Sequence, residues 1–462
     1  MPDLPPTVFV LYGATGDLAA RMVLPAFDVL QRRGLLPSDW RLVGSGRGER
    51  SDDEFRDLVR DALAEHGDGA PADGLTERLR FAGGGFTPDD PGQLADAVAT
   101  ARGELGDDAQ LVHYLAVPPG AFEGITRGLA AHGLAEGSRV VYEKPYGTSP
   151  DGFRALDELV HSVLEEEQVF RLDHFLGKEA TQDLHVLRFA NGLFSSVWSR
   201  EHVAQVQVDV PETLDVADRA GFYDATGATL DMLVTHLFQV AAEVAMEPPA
   251  SLAAGDLHAA REAVLAAFRP LDTEEVVLGR FEGYRDHDDV ADDSRTDTFV
   301  AARLWVDTDR WRGVPFLLRT GKRMAEGHQQ VTLVLRRPDG PVGALPGGGN
   351  TVSLSLSGAG GLELGLVTKQ PGPDLELALA RTSLDLGRVP GGDPLPAYAA
   401  LLHDVLVGDR SLFTTSTGLA EAWRAVQPLL DAPPRVQPYA PGSWGPETAR
   451  ALADPCGWVL GS

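Results

Sequence analysis

The stretch Arg171–Glu179 reads R-L-D-H-F-L-G-K-E and gathers Asp173, His174 and Lys178 within six positions. An acid, an imidazole and an amine so close together can move a proton or hold an anion. Val169-Phe170 ahead of them is apolar and strand-like, so these groups lie where a strand gives way to a turn or helix, a frequent place for catalytic side chains. The same spacing also suits a solvated helix start with Asp173 as its N-cap.

Lysine usage singles out the same residues. Only four of the 40 Lys plus Arg are lysines, Lys144, Lys178, Lys322 and Lys369, which leaves 36 arginines. A chain that prefers arginine this strongly does not use lysine as surface filler. A slim stem with a compact ammonium reaches into a small polar pocket where a planar guanidinium does not fit. Several of the four lysines are therefore expected to share one site.

Composition narrows the class. The chain has 462 residues and 43% apolar residues, enough for two domains with real cores. A formal net charge of -28 argues against general nucleic-acid or membrane-surface binding. The single cysteine, Cys456, excludes an intrachain disulfide and fits a reducing compartment. The first residues carry no secretory pattern and no apolar run is long enough to span a bilayer, so a soluble, cytoplasmic protein is expected.

The elements that must position these groups follow in chain order. Thr7–Tyr12 reads as a buried parallel strand. Gly13-Ala14-Thr15-Gly16-Asp17-Leu18 follows it, and then a helix over 19–33 with Met22, Leu24, Phe27 and Leu30 inward and Gly34 as its stop. Strand, glycine turn and helix let backbone amides face a pyrophosphate, although the turn is not G-x-G-x-x-G. The next strand, 41–44, leads to Arg47. An arginine there suits the 2′-phosphate of NADP, where a carboxylate would hold the ribose of NAD; it also suits a plain loop charge. Further strands at 111–117 and 139–142 alternate with helices at 52–65 and 121–132, the pattern of a doubly wound parallel sheet. The last of these strands runs into Glu143-Lys144-Pro145, an X-Pro bond well placed to be cis.

After Lys178 the pattern changes. A helix is expected over 181–189. Val203–Val210 alternates like an antiparallel strand with one exposed face, and Glu212 follows it. A helix over 229–245 carries Asp231 and His236, which at 3.6 residues per turn lie roughly 140° apart; a histidine on so apolar a helix is often a core residue. Strands at 298–306, 315–319, 330–336, 351–357 and 362–369 indicate a large, mostly antiparallel sheet. A loop is expected over 343–350, and helices over 397–407 and 418–430. The fold class is thus an α/β N-terminal, Rossmann-like parallel sheet plus a C-terminal α+β domain, with a dinucleotide-binding domain at 1–172 and a second domain at 173–462. No zinc spacing, G-x-S-x-G or P-loop is present, and no metal is expected.

With these residues in view, the chain resembles the glucose-6-phosphate dehydrogenase family. The resemblance rests on G-A-T-G-D-L-A at 13–19, G-x-G-R at 44–47, Y-L-A-V-P-P at 114–119, E-K-P-Y-G at 143–147 and R-L-D-H-F-L-G-K-E at 171–179. It continues through L-R-F-A-N at 187–191, D-M-x-x-x-H at 231–236, G-V-P-F-L-L-R-T-G-K at 313–322, K-Q-P-G at 369–372 and G-S-W-G-P at 442–446. All four lysines fall in these motifs. The resemblance implies oxidation of glucose 6-phosphate at C1 in the oxidative pentose phosphate pathway. His236 would be the general base and Asp173 the acid that orients it. Lys144, His174, Lys178, Glu212, Asp231 and Lys322 would bind substrate. Gly13, Ala14, Thr15, Gly16, Asp17, Leu18, Arg47 and Lys144 would bind NADP, and Thr15 is compatible with NAD as well. It also implies a homodimer or homotetramer, with 173–462 as the substrate and oligomerisation domain. Three positions depart from the family pattern: Phe175 stands where tyrosine is usual, Gly327 where a basic residue is usual and Thr235 where asparagine is usual. Each lost donor to a phosphate weakens binding by about 1.5–3 kcal/mol if nothing replaces it. Two other readings therefore stay open, a sibling dehydrogenase acting on another aldose and a non-catalytic NADP-binding sensor.

Overall fold

The computed structural model describes residues 4–106, 108–216, 219–340 and 349–461. Most of the loop expected over 343–350, residues 343–348, lies outside them. The chain packs as two compact units. One comprises Met1–Gly177 with Leu395–Ser416, the other Lys178–Pro394 with Thr417–Ser462.

The first unit is built on a six-stranded sheet. Its strands are β1 (Thr7–Tyr12), β2 (Trp40–Ser45), β3 (Leu79–Ala82), β4 (Gln110–Leu115), β5 (Arg139–Tyr142) and β6 (Val169–Arg171), in the order β3-β2-β1-β4-β5-β6. All neighbours are parallel. β1 is buried along its whole length, as its run of apolar and β-branched residues requires. The strand order reverses between β1 and β4, so a crevice opens at their carboxyl ends, where such sheets bind ligands. β3 and the helices Leu94–Leu105 and Pro150–His161 are additions to the expected elements, although Ser149 and Pro150 form a regular helix start for the last of them.

Met22 is a correction. It is 39% exposed, while Ala19 and Val23 are fully buried. The cause is that Ala19–Val23 is a π-helical turn before the α-helix Leu24–Arg32, which shifts the inward phase. The helix Ala397–Val407 belongs to the first unit, whereas the sequence reading puts all of 173–462 in the second domain. Leu401, Leu402, Val405 and Leu406 share one core with Phe9, Leu24 and Phe27.

The second unit holds a nine-stranded sheet. Its strands are β7 (Val203–Pro211), β8 (Val276–Phe281), β9 (Phe299–Trp305), β10 (Pro315–Gly321), β11 (Gln330–Leu335), β12 (Thr351–Ser355), β13 (Gly361–Lys369), β14 (Leu377–Asp385) and β15 (Gln437–Tyr439). They run in the order β14-β13-β12-β11-β7-β10-β9-β8-β15. Only β7–β10 and β8–β15 are parallel neighbours.

β7 corrects a second expectation. It lies in the middle of the sheet, and Gln205, Gln207 and Asp209, expected to face solvent, are each 1% exposed. The C-terminal tail covers that face. Gln207 Nε2 donates to the Gly457 carbonyl at 2.8 Å and Gln207 Oε1 accepts from Val459 N at 2.9 Å. Arg319 Nε donates to Asp209 Oδ1 at 2.6 Å, with its guanidinium 4.1 Å from the Trp458 ring. These bonds offset the cost of burying Gln207 and one oxygen of Asp209, while Gln205 Nε2 and Asp209 Oδ2 make no hydrogen bond among the described residues.

Candidate functional site

In the first unit the glycine turn follows β1 directly. Gly13 sits at φ 72°, and a Cβ there would fall 2.3 Å from the Ala116 carbonyl, so only glycine fits. Gly13 N and Ala14 N donate to the Ser45 carbonyl at 3.0 and 3.2 Å, and Gly16 N donates to Gly13 O at 2.9 Å. The turn floors a cleft of about 720 Å³ lined by Gly13, Thr15, Gly16, Arg47 and Val117, among others. Arg47 is exposed at this cleft. A glycine-floored crevice at a strand switch with one guanidinium on its wall fits a dinucleotide carrying an extra phosphate. Ala14, Asp17 and Leu18 do not line it. Ala14 is buried, Asp17 pairs with Arg21 at 2.8 Å and Leu18 packs against the core.

At the carboxyl end of β5, Glu143 is buried and burial pushes its carboxyl pKa up, against hydrogen bonds from Tyr114, Lys144 N and Tyr398. Tyr114 Oη donates at 2.5 Å. Lys144 follows, and the Lys144–Pro145 bond is cis as expected. Beyond β6, Asp173 is buried and its Oδ1 accepts from Phe175 N at 2.9 Å. The His174 ring lies nearly parallel to that of Tyr398, centroids 6.3 Å apart. Phe175 is 2% exposed.

In the second unit, the carboxyl ends of the parallel neighbours β7 and β10 lie side by side. Glu212 N donates to the Gly321 carbonyl at 2.9 Å, which brings Glu212 and Lys322 together, and Lys322 Nζ donates to Glu212 Oε2. Lys322 Nζ also lies 5.5 Å from the centroid of the Tyr223 ring. Burial, followed by the charges of Asp231, Asp297 and Glu212, raises the Tyr223 phenol well above its usual range. Glu212, Asp231 and Lys322 therefore gather around Tyr223. Lys178 Nζ donates to Gln329 Oε1, just before β11, and His328 N donates to the Pro211 carbonyl at 3.2 Å, which sets this loop beside the same strand ends.

The helix with His236 corrects a third expectation. Thr229–Leu237 is π-helical, followed by the α-helix Phe238–Ala245. Its i→i+5 bonding sets residues five apart roughly one turn from each other. Asp231 and His236 thus share a side rather than diverging by roughly 140°. His236 is fully buried and Asp231 partly so. Tyr223, Gln329 and Asp297 escaped the sequence reading, for none belongs to a spacing that signals chemistry.

What this arrangement offers is a dinucleotide cleft in one unit and, in the other, an ammonium beside two carboxylates and a phenol. Such a set can hold the hydroxyls of a small polyol, and Lys178 beside the same strand ends adds a cation for a negative charge. Residues 10–183 match the family description "Glucose-6-phosphate dehydrogenase, NAD binding domain" and residues 185–458 match "Glucose-6-phosphate dehydrogenase, C-terminal domain". The chain is 38% identical to glucose-6-phosphate 1-dehydrogenase 2 of Mycobacterium tuberculosis, covering 96% of this chain and 92% of that protein. It is 37% identical to the glucose-6-phosphate 1-dehydrogenase of Gluconobacter oxydans, covering 97% and 96%. A crystal structure from Mycobacterium avium matches with TM-score 0.85 at 34% identity over 97% of each chain. A structure of glucose-6-phosphate dehydrogenase with its substrate matches with TM-score 0.90 at 26% identity over 100% of each chain.

Proposed function

Because the chain belongs to the glucose-6-phosphate dehydrogenase family, we propose that it oxidises the C1 hydroxyl of glucose 6-phosphate to the 6-phosphoglucono-lactone with NADP. The observation that carries this reading is the gathering of Lys322, Glu212 and Asp231 around Tyr223. The two carboxylates suit a sugar with several hydroxyls to donate, and Lys178, set beside the same strand ends through Gln329, supplies a second cation for its charge. The nicotinamide, when bound, supplies the hydride-accepting chemistry.

The chain's own residues do the rest. His236 removes the proton of the C1 hydroxyl as general base. Asp173 holds the imidazole in the competent orientation and stabilises the imidazolium. Glu212 and Asp231 accept from sugar hydroxyls. His174, Lys178 and Lys322 hold the sugar phosphate, and Lys144 serves both ligands. Gly13, Thr15, Gly16 and Arg47 hold the dinucleotide, with Arg47 on the 2′-phosphate.

Phe175 favours a second reading. Its ring is buried and offers no hydroxyl, so phosphate recognition has one donor fewer, which leaves room for another aldose as substrate. Steady-state rates with glucose and glucose 6-phosphate, each with NADP and NAD, separate the readings. A kcat/KM for glucose 6-phosphate at least about 100-fold above that for glucose is expected, since each charge-assisted contact contributes about 1.5–3 kcal/mol. Comparable values would remove the sugar-phosphate assignment, and NADP binding without turnover of any sugar would leave a sensor. We further place the protein in the cytoplasm as a homodimer or homotetramer. In support, no helix among the described residues is long and apolar enough to cross a membrane. Leu366, Leu375 and Leu384, on and between β13 and β14, are 41–70% exposed.

A further inference from the structure

The π-helix with Asp231 and His236 starts at a sharp kink, with Gly227 at φ 63° and ψ 176°. The first amides of a helix have no partner inside it. Here one residue of another segment takes them. Ala228 N donates to the Asp297 carbonyl at 3.0 Å, while Thr229 N and Thr229 Oγ1 donate to Asp297 Oδ2 at 2.9 and 3.0 Å. A Cβ on Gly227 would fall 2.7 Å from Asp297 Oδ1, so the carboxylate and the kink are in direct contact. A negative charge at this helix end is also favoured by the helix dipole.

The next residue faces the other way. The Thr298 carbonyl accepts from Lys322 N at 2.9 Å. Tyr439 Oη donates to the carbonyls of Thr298 and Lys322, at 3.2 and 2.6 Å. Two consecutive residues thus hold the start of the helix with Asp231 and His236 on one side and the backbone of Lys322 on the other.

We propose that Asp297 is a positioning residue: without touching the sugar, its carboxylate fixes the helix bearing Asp231 and His236 in register with Lys322. The inference rests on the reading above that these three residues serve sugar oxidation. Burial pushes the Asp297 carboxyl up to about 6, against its hydrogen bonds from Thr229. Among the described residues, its charge acts on the phenols of Tyr223, Tyr284 and Tyr439. Behind them lie Asp231 and Glu212 next to Tyr223, and Asp224 and Arg280 next to Tyr284. As pH falls through about 6 the carboxylate protonates and its hold on Thr229 weakens.

The test compares the full-length wild type with Asp297→Asn and Thr229→Val. Wild type is assayed first at pH 8 with glucose 6-phosphate and NADP; no turnover there sinks the sugar-phosphate reading itself. With turnover established, Asp297→Asn is expected to lower kcat at least about tenfold while the KM for NADP stays within about twofold, equivalent to at least about 1.4 kcal/mol in the barrier. Thr229→Val, which removes only the hydroxyl, is expected to lose about twofold to fivefold, within the range of one neutral hydrogen bond. The ratio of wild-type to Asp297→Asn kcat/KM should shrink toward one below pH 6, where the wild-type side chain is neutral too. A purely structural role would leave that ratio independent of pH. A ratio constant with pH, or a kcat within about twofold of wild type at pH 8, overturns the proposal. Should Asp297→Asn fail to fold, an unchanged kcat in Thr229→Val overturns it.

Discussion

Lys178 gives the sharpest single-residue test of phosphate binding. Its ammonium reaches Gln329 beside the strand ends where Glu212 and Lys322 meet. Removing a charged donor to a phosphate costs about 1.5–3 kcal/mol. Lys178→Ala is therefore expected to raise the KM for glucose 6-phosphate about 10- to 100-fold, with the KM for NADP unchanged. A matching rise in both constants would point to general damage instead. Scarcity of lysine singles out Lys178, and the argument applies equally to Lys144, Lys322 and Lys369, although Lys369 is exposed and donates to the Gln370 and Gly372 carbonyls at 2.9 and 2.6 Å. Nothing comparable marks Tyr223 or Asp297. Tyrosine and aspartate are common at surfaces and turns, and what these two touch depends on which distant segments pack against them.

At the level of elements, three helices of the second unit are joined by one buried ion network. Glu243, on Phe238–Ala245, accepts from Arg261 Nε, on Ala254–Ala266, and pairs with His185, on Glu179–Ala190. Burial pushes the Glu243 carboxyl up, but the Arg261 guanidinium and the His185 ring outweigh it and bring it down to about 2. A carboxylate whose folded value lies below its unfolded value near 4.3 stabilises the fold above that unfolded value. The contribution is then lost as pH falls from about 4 through about 2. Glu243→Gln is expected to cost about 3–5 kcal/mol at pH 7 in urea unfolding. Its deficit against wild type should narrow as pH falls below 4, and a constant deficit would exclude the network as its cause.

Helix and strand periodicity carried most of these elements, with β10, β11 and the helix Ala397–Val407 all expected near their observed places. The differences have two separate physical origins. A π-turn obeys neither the 3.6 nor the 2.0 period, so Met22 and the Asp231–His236 pair were placed on the wrong sides. In β7 the alternation was read correctly, but only the tertiary fold decides that the polar face is covered by the C-terminal tail.

For the whole molecule, the outer hairpin of the large sheet is the notable surface. Leu366, Leu375 and Leu384 are 41%, 70% and 53% exposed on or between β13 and β14, and β14 is an edge strand. Apolar side chains on an open edge invite pairing. Wild type is expected to be a homo-oligomer by light scattering at micromolar concentration, and Leu384→Asp to shift it toward monomer. A monomeric wild type would remove the homo-oligomer proposal.

The first unit is completed by Leu395–Ser416, a segment from far along the chain, whose Leu401, Leu402, Val405 and Phe413 share one core with β1, β2 and the first helix. During synthesis the amino-terminal segment of this unit therefore cannot close its core when residue 177 leaves the ribosome. It must wait, with apolar surface uncovered, until the whole intervening stretch has been made and the late helix arrives. A chain ending before residue 395 would lack part of both compact units.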